Sequence, residues 1–142
     1  MEERSILIVA NQTAAGSHLL HEVRRRMDQG PCRFTLVVPA TPPPGKALWT
    51  EGEANAHAQR RMEVALAKLR ETGAEIEGAI GDASPAEAVA ERLVERDYDE
   101  IIVSTLPPKI SRWLKQDLPH RIERRFEIPV THVIAERESA SL

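Results

Sequence analysis

The chain has 142 residues, 42% of them hydrophobic and 29% charged, so it can bury a core and is not a disordered segment. Its formal net charge of −3 argues against a general nucleic-acid binder, which would carry a basic excess over the whole domain. The one cysteine, Cys32, excludes an internal disulfide and a zinc site built from cysteines. The first residues lack the pattern of a secretory signal, and no apolar run approaches the roughly 20 residues of a membrane helix. We therefore expect a cytoplasmic protein without a membrane span.

Strands and helices alternate through the first half of the chain. Residues 6–10 form a continuous apolar run, which is typical of a strand covered on both faces. Apolar residues at helical spacing follow, and Gly30-Pro31 ends that helix. A second strand over 34–38 leads into a stiff proline-rich loop at 39–45, after which a long helix covers about 50–72.

The second half begins with a third strand over 75–80. The helix that follows has Ser84 as its predicted N-cap and Pro85 in its first position, and Glu87 completes a capping box. A fourth strand at 101–103 comes next. The spacing therefore keeps strands and helices in strict alternation.

The last elements are a helix that Asp117 is expected to cap and a fifth strand over 130–134. Residues 136–142 form a polar tail without a pattern, so we assign residues 1–135 to a single domain. The alternation predicts an α/β fold, with an open five-stranded parallel sheet and helices on both faces, as in Rossmann-like proteins.

Ligands of such sheets bind outside the carboxyl ends of the strands, so the turns after the strands supply the candidate site. Ser104 is a weak candidate nucleophile because no GxSxG motif surrounds it, and we assign no catalytic residue. His18 and His21 share a helix face, but two histidines alone do not make a closed metal site, and we assign no metal ligand. The candidate ligand- or nucleotide-binding residues are Asn11, Thr13, Val38, Gly81, Asp82, Ser104, Thr105, Lys109, Arg112 and Trp113.

Several features near this site have two interpretations. The six cations between residues 109 and 125 form either a solvated helix face or an anion site, whose best members are Lys109 and Arg112. Trp113 either stacks on a base or pins its loop to the core. Trp49 either closes a lid over the cleft or anchors the proline-rich loop.

Three segments together resemble the universal stress protein family. They are ILIVANQT at the start, GAIGDASPAEAVAERLVERDYDEIIVST in the middle and HRIERRFEIPVTHVIA near the end, and the resemblance covers nearly the whole chain. It implies the strand order 3-2-1-4-5 and a homodimer that pairs through the last strand. The alternative is that the polar tail shields this edge strand and the protein is monomeric.

A narrower likeness rests on VVPAT, DEIIVSTLP and PVTHV. These segments resemble small actinobacterial-type domains that are themselves similar to the soluble C-terminal domain of amino-acid (GABA-type) permeases. This likeness implies association with a membrane transporter.

Nucleotide-binding universal stress proteins resemble one another at a loop after strand four, Gly-x2-Gly-x9-Gly-(Ser/Thr). Here the length is kept, but the glycines are replaced. An aspartate that ends strand one in the ATP-binding members corresponds to Asn11. Pro107 and Pro108 offer no N–H group to a phosphate, so we predict that ATP does not bind in the usual way of the family. The three glycine positions hold Ser104, Pro107 and Asp117, and the Ser/Thr position holds Leu118.

Three functions stay open at this point. The first is a non-catalytic sensor or regulatory domain of the universal-stress type, with a degenerate nucleotide site, no cofactor and a small-molecule or anionic ligand. The second is a binder of ATP or another adenine nucleotide, with slow or no hydrolysis, that uses polar side chains in place of glycines. The third is a soluble regulatory domain or partner of an amino-acid permease.

Overall fold

The computed structural model describes residues 2–41 and 48–135. The strands are β1 (Arg4–Val9), β2 (Cys32–Pro39), β3 (Ile76–Gly81), β4 (Glu100–Thr105) and β5 (Val130–Ile134). The helices are α1 (Ser17–Gln29), α2 (Glu51–Glu71), α3 (Pro85–Glu95), α4 (Arg112–Lys115) and α5 (Leu118–Phe126). The strands form one parallel sheet in the order β3-β2-β1-β4-β5, which confirms the predicted α/β fold and strand order.

The central strand β1 explains why the sheet needs helices on both faces. Residues 6–9 are fully buried and alternate between two apolar clusters. Ile6 and Ile8 pack with residues of α1 and α2, whereas Leu7 and Val9 pack with residues of α3 and α5. A strand that is apolar on both faces is stable only between two helical layers.

Two boundaries differ from the sequence prediction in ways that affect the site. Strand β4 continues through Ser104 and Thr105, so these two hydroxyls are carried by the last two residues of the strand and not by the loop after it. The short helix α4 was not predicted, and its N-cap Ser111 accepts a hydrogen bond from the N–H of Leu114 at 3.1 Å. The polar tail 136–142 and residues 42–45 of the proline-rich loop predicted at 39–45 lie outside the described residues.

The capping box predicted at the start of α3 is wrong. Ser84 occupies the N-cap position, but its side chain makes no cap hydrogen bond. The carboxylate of Glu87 instead accepts a hydrogen bond from Arg125 at 2.6 Å. The turn is held by Asp82, whose carboxylate accepts the N–H of Ser84 at 2.8 Å. A charged partner from α5 has therefore outcompeted the local backbone contact.

A complete capping box does form at the start of α2. The hydroxyl of Thr50 accepts the N–H of Glu53 at 3.0 Å, and the carboxylate of Glu53 accepts the N–H of Thr50 at 3.2 Å. This box fixes where α2 begins and hence which of its side chains face the carboxyl ends of the strands.

Candidate functional site

A cavity of about 310 Å³ lies at the carboxyl ends of β1 and β4. The turn after β1 and the end of β4 form its floor, and α2 and the segment 106–113 form its walls. This is the edge of a parallel sheet at which ligands bind in α/β proteins. The lining residues are Asn11, Gln12, Thr13, Thr41, Arg61, Ser104, Thr105, Leu106, Ile110, Ser111, Arg112 and Trp113.

Two side chains that line the cavity, Thr13 and Ser104, are linked to each other and to His18, which is not itself a lining residue. The hydroxyls of Thr13 and Ser104 lie 2.5 Å apart, and Nε2 of His18 lies 2.9 Å from the Ser104 hydroxyl. Thr13 and Ser104 are both buried. Burial lowers the pKa of His18, so its imidazole is neutral near pH 7. We name Thr13, Ser104 and His18 the hydroxyl floor.

Gly16 leaves space for the His18 ring. A Cβ atom at residue 16 would come within 2.7 Å of Cε1 and Nδ1 of that ring and within 3.2 Å of the Thr13 carbonyl oxygen. The backbone at Gly16 is extended, with φ −75° and ψ 151°, so the glycine is needed for space and not for its torsion angles.

Arg61 reaches the cavity from α2. Its Nη1 donates a hydrogen bond to the side-chain oxygen of Asn11, and the Asn11 amide nitrogen donates at 3.5 Å to the Pro39 carbonyl. The guanidinium is partly withdrawn from water, and this burial lowers the pKa of Arg61. Arg61 and Asn11 together close one side of the cavity.

A second hydroxyl–histidine pair lies beside the floor. The Thr105 hydroxyl is 2.7 Å from Nε2 of His132 on β5. Burial, with a smaller contribution from the charge of His120, lowers the pKa of His132. Since this pair joins the end of β4 to the edge strand, it ties the edge strand to the site.

Comparison with known proteins identifies the fold. No protein-family model matches the chain, and no curated protein matches it. Among solved structures, the universal stress protein from Archaeoglobus fulgidus in complex with dAMP has a TM-score of 0.63 at 14% identity, covering 93% of this chain and 98% of that one. A universal stress protein in complex with cAMP has a TM-score of 0.61 at 15% identity, covering 94% and 98%. An AMP-bound protein of this family from Arabidopsis thaliana has a TM-score of 0.62 at 11% identity, covering 95% and 94%. The chain has the universal stress protein fold.

In this universal stress fold, the loop that follows β4 directs its backbone donors inward. The N–H groups of Ile110 and Ser111 both donate to the carbonyl of Pro107 at 3.0 Å. The N–H of Leu114 is taken by the Ser111 side chain, as described above. Three donors along the segment that resembles the family's nucleotide loop are thus already used within the chain.

Asp117, at the third glycine position of that motif, keeps a glycine-like backbone. Its φ of 56° lies in the left-handed region, which aspartate tolerates better than most residues. It precedes α5 at the N-cap position, but its side chain makes no cap hydrogen bond. The carboxylate lies 2.8 Å from Nδ1 of His120 and does not line the cavity.

The cavity brings together six of the ten residues that the sequence singled out. Val38 does not line it because its side chain is fully buried in the core, and Lys109 is exposed on the loop. Gly81 and Asp82 line a different cavity, of about 710 Å³, together with Trp49 at the start of α2. The six that line the first cavity are Asn11, Thr13, Ser104, Thr105, Arg112 and Trp113.

Trp113 fits both of its interpretations, since it lines the cavity and also packs against the apolar cluster beneath α3 and α5. The cations of α5 behave as a solvated face. Arg125 pairs with Glu87, and Arg124 lies 3.8 Å from the Asp117 carboxylate. The anion-site interpretation therefore concerns Arg112 and not the helix after it.

Two residues that contact the site are not among the binding residues predicted from sequence. His18 contacts the Ser104 hydroxyl, and Arg61 contacts Asn11. The strand order supplies the signal for His18, because it places the turn after β1 next to the end of β4.

Within residues 2–41 and 48–135, no group of three or more histidine, cysteine, aspartate or glutamate side chains could hold a metal ion. Over the same ranges, none of the helices has the length and apolar character needed to cross a bilayer.

Proposed function

We propose that the protein is a non-catalytic binding domain of the universal-stress type, with a sensor or regulatory role, whose loop after β4 does not hold a triphosphate. The ligand lies in the cavity at the ends of β1 and β4. The observation that carries this proposal is the inward direction of the loop's backbone donors at Ile110, Ser111 and Leu114.

Some of the backbone donors that a triphosphate needs are already used within this loop. Each hydrogen bond to a charged group contributes about 1.5–3 kcal/mol. Pro107 has no N–H, and the two N–H groups that donate to its carbonyl are already used. Two missing bonds weaken triphosphate binding by about a hundred- to ten-thousand-fold.

The fold makes adenine nucleotides the first ligands to test. Solved universal stress proteins carry AMP, dAMP and cAMP. The cavity volume of about 310 Å³ lies at the lower end of the range of roughly 300–1,000 Å³ that is usual for small-molecule sites. A compact ligand with one anionic group suits this volume better than ATP does.

Calorimetric titration of the purified chain with ATP and with AMP tests the proposal. We expect no micromolar affinity for ATP. Micromolar ATP binding that Arg112→Ala weakens would overturn the proposal and favour the alternative, a nucleotide binder that uses polar side chains in place of glycines. ATP that co-purifies with the chain would count against the proposal in the same way.

We also propose that two copies pair through β5. All five side chains of this edge strand are partly or fully exposed, and Ile134 is 44% exposed. An unpaired strand edge offers backbone donors and acceptors to a second copy. Sedimentation equilibrium should give a dimer mass, and a monomer mass that does not depend on concentration would exclude pairing.

Association with a permease remains a prediction from the resemblance, and its test is co-purification with a membrane transporter.

A further inference from the structure

We propose that the cavity binds a compact oxyanion, a phosphomonoester or a carboxylate, between Arg61 and the hydroxyl floor, and not against the loop after β4. The inference rests on the proposed function in one respect only, since both place the ligand in this cavity. It adds the chemical class of the ligand and the residue that anchors its charge.

The charged side chains among the described residues of the cavity wall are both positive. Among the described residues that line it, Arg61 and Arg112 are the charged ones, and none is a carboxylate. The rest are hydroxyls, amides and apolar groups. Such a lining attracts an anion and repels a metal ion or an amine.

Arg61 has fewer hydrogen-bond partners than Arg26, the other arginine that is withdrawn from solvent on this face of the sheet. A guanidinium has five N–H donors, and Arg61 uses one of them on the neutral side chain of Asn11. Arg26, in contrast, donates to the carboxylates of Glu22 and Glu100. The pKa of Arg61 is lowered by burial, and in the described part of the chain no carboxylate offsets this effect. A partly desolvated guanidinium with free donors is suited to bidentate binding of an oxyanion.

The hydroxyl floor contributes a donor at Thr13, which lines the same cavity as Arg61. Nδ1 of His18 is buried and has no hydrogen-bond partner among the described residues. An unpaired acceptor is tolerated better than an unpaired N–H, so we place the ring proton on Nε2. Nε2–H then donates to Ser104, and the Ser104 hydroxyl donates to Thr13. The hydrogen of the Thr13 hydroxyl remains for a ligand oxygen.

This proton order also explains why the Ser104–His18 pair does not act as a nucleophile and base. A histidine that donates to the serine oxygen cannot accept its proton. Ser104 is moreover only 1% exposed. The pair orients the Thr13 hydroxyl and does not attack a substrate.

The experiment uses the full chain and three probes, inorganic phosphate, AMP and succinate, in calorimetric titrations. We expect Arg61→Met to weaken binding of the probe that the chain prefers by about ten- to a hundredfold, since it keeps the apolar stem and removes the charge. Thr13→Val should weaken binding by up to about tenfold. The matched control is Arg60→Met, which changes the exposed neighbour on the same helix and should alter affinity less than twofold. Melting curves of each variant check that it is folded.

The probes separate the sources of the oxyanion. Preference for AMP over phosphate assigns a nucleoside phosphomonoester, preference for phosphate assigns the free anion, and preference for succinate assigns a carboxylate. Binding of none of the three at millimolar concentration would overturn the inference. It would also be overturned if Arg61→Met bound as tightly as the parent chain or more tightly, because Arg61 would then merely fill the cavity.

A loss confined to Arg112→Met would place the anion against the loop and contradict the position proposed here. These failures differ from failure of the proposed function, because only tight binding of ATP would overturn that proposal. The histidine tautomer has a separate readout, because nitrogen chemical shifts of His18 should report a protonated Nε2. A protonated Nδ1 would remove the Thr13 donor from the site.

Discussion

Arg26 and Arg61 lie on helices that cover the same face of the sheet, but at opposite ends of its strands. Arg26, on α1, is 8% exposed near the amino ends, and it contacts two carboxylates. Arg61, on α2, lies at the carboxyl ends and contacts an amide. Burial lowers the pKa of Arg26, but its hydrogen bonds to Glu22 and Glu100 outweigh burial and raise it. For Arg61 the effect of burial stands alone.

Arg26 is paired with carboxylates of the fold, whereas the charge of Arg61 has no carboxylate partner among the described residues. Around Arg26 the network is complete, since Thr131 accepts from Nη2 at 3.1 Å and Arg4 reaches Glu100 at 3.3 Å. It joins α1, β1, β4 and β5 at the amino end. At the carboxyl end, the described residues that line the cavity at β1 and β4 provide hydroxyls and two guanidinium groups, and none of them is a carboxylate. One end of the sheet is thus held by a network of ion pairs, and the other end contains the cavity for which we propose a ligand.

The largest expected effect comes from breaking this network of ion pairs. Arg26→Met leaves the carboxylate of Glu100, which is 4% exposed, without its main partner. Removing one member of a buried pair typically costs about 3–5 kcal/mol, and Arg4 replaces only part of the lost contact, so we expect about 3 kcal/mol. Urea unfolding measures the change in the free energy of unfolding.

The control for this variant is Arg25→Met, which changes the exposed neighbour in the salt bridge with Glu22 at 3.1 Å. It should leave the unfolding midpoint nearly unchanged. If both variants lose the same stability, the network at the amino end does not behave as a buried one, and the contrast between the two ends fails.

A smaller effect is expected from filling the space at Gly16. Gly16→Ala should push the His18 ring away from Ser104, and losing that hydrogen bond costs about 1 kcal/mol. The pKa of His18 should move up toward its ordinary value as the ring gains solvent, which proton NMR titration can follow. Gly52→Ala is the matched control, because its new Cβ meets nothing closer than Thr50 Oγ1 at 4.0 Å. An unchanged His18 titration in Gly16→Ala would mean that the glycine does not position the ring.

Stability should also depend on pH through the partly buried histidines. The pKa values of His18, His57 and His132 are lowered by burial, so the unfolded chain binds more protons than the folded one just below the ordinary pKa of 6.5. The stabilising contribution is complete above that value and declines as pH falls toward the folded pKa values. Melting temperatures should therefore drop between about pH 7.5 and about pH 5.5. His18→Gln should flatten this slope more than His21→Gln, which changes an exposed ring, and equal slopes would contradict the assignment.

The sheet could be predicted from sequence because each of its strands has a local pattern. The buried run at 6–9 specifies a strand covered on both faces, and the fifth strand has the predicted bounds, Val130–Ile134. Caps that depend only on neighbours along the chain are equally local. The capping box predicted at Ser84 is absent, and Glu87 binds Arg125, which lies 38 residues further along the chain from it. A local sequence pattern around Glu87 does not reveal a partner as distant along the chain as Arg125.

The candidate site was harder to predict for the same reason. Ser104 and His18 meet although they are 86 residues apart, so no spacing rule links them before the strand order is known. Arg61 could have been found at the edge of the apolar stripe of α2, since it lies three residues after Ala58 and next to Met62, both buried. Its role depends on the contact with Asn11, which the sequence marks as a candidate binding residue but does not link to α2.

The smallest effect is expected at a third arginine, Arg125, whose ion pair with Glu87 has geometry as good as that of the buried network. The closest nitrogen and oxygen are 2.6 Å apart, but the side chains are 46% and 52% exposed. In water such a pair gains little over its two hydrated members and is screened by salt. Arg125→Gln also removes the guanidinium carbon, which lies 4.8 Å from the centre of the Phe126 ring, but both contacts of this arginine are solvent-exposed, so the melting temperature should change far less than in Arg26→Met, in low and in high salt. A loss as large as that of Arg26→Met would show that distance, and not withdrawal from solvent, decides what an arginine contributes here, and the distinction between the two ends of the sheet would lose its physical basis.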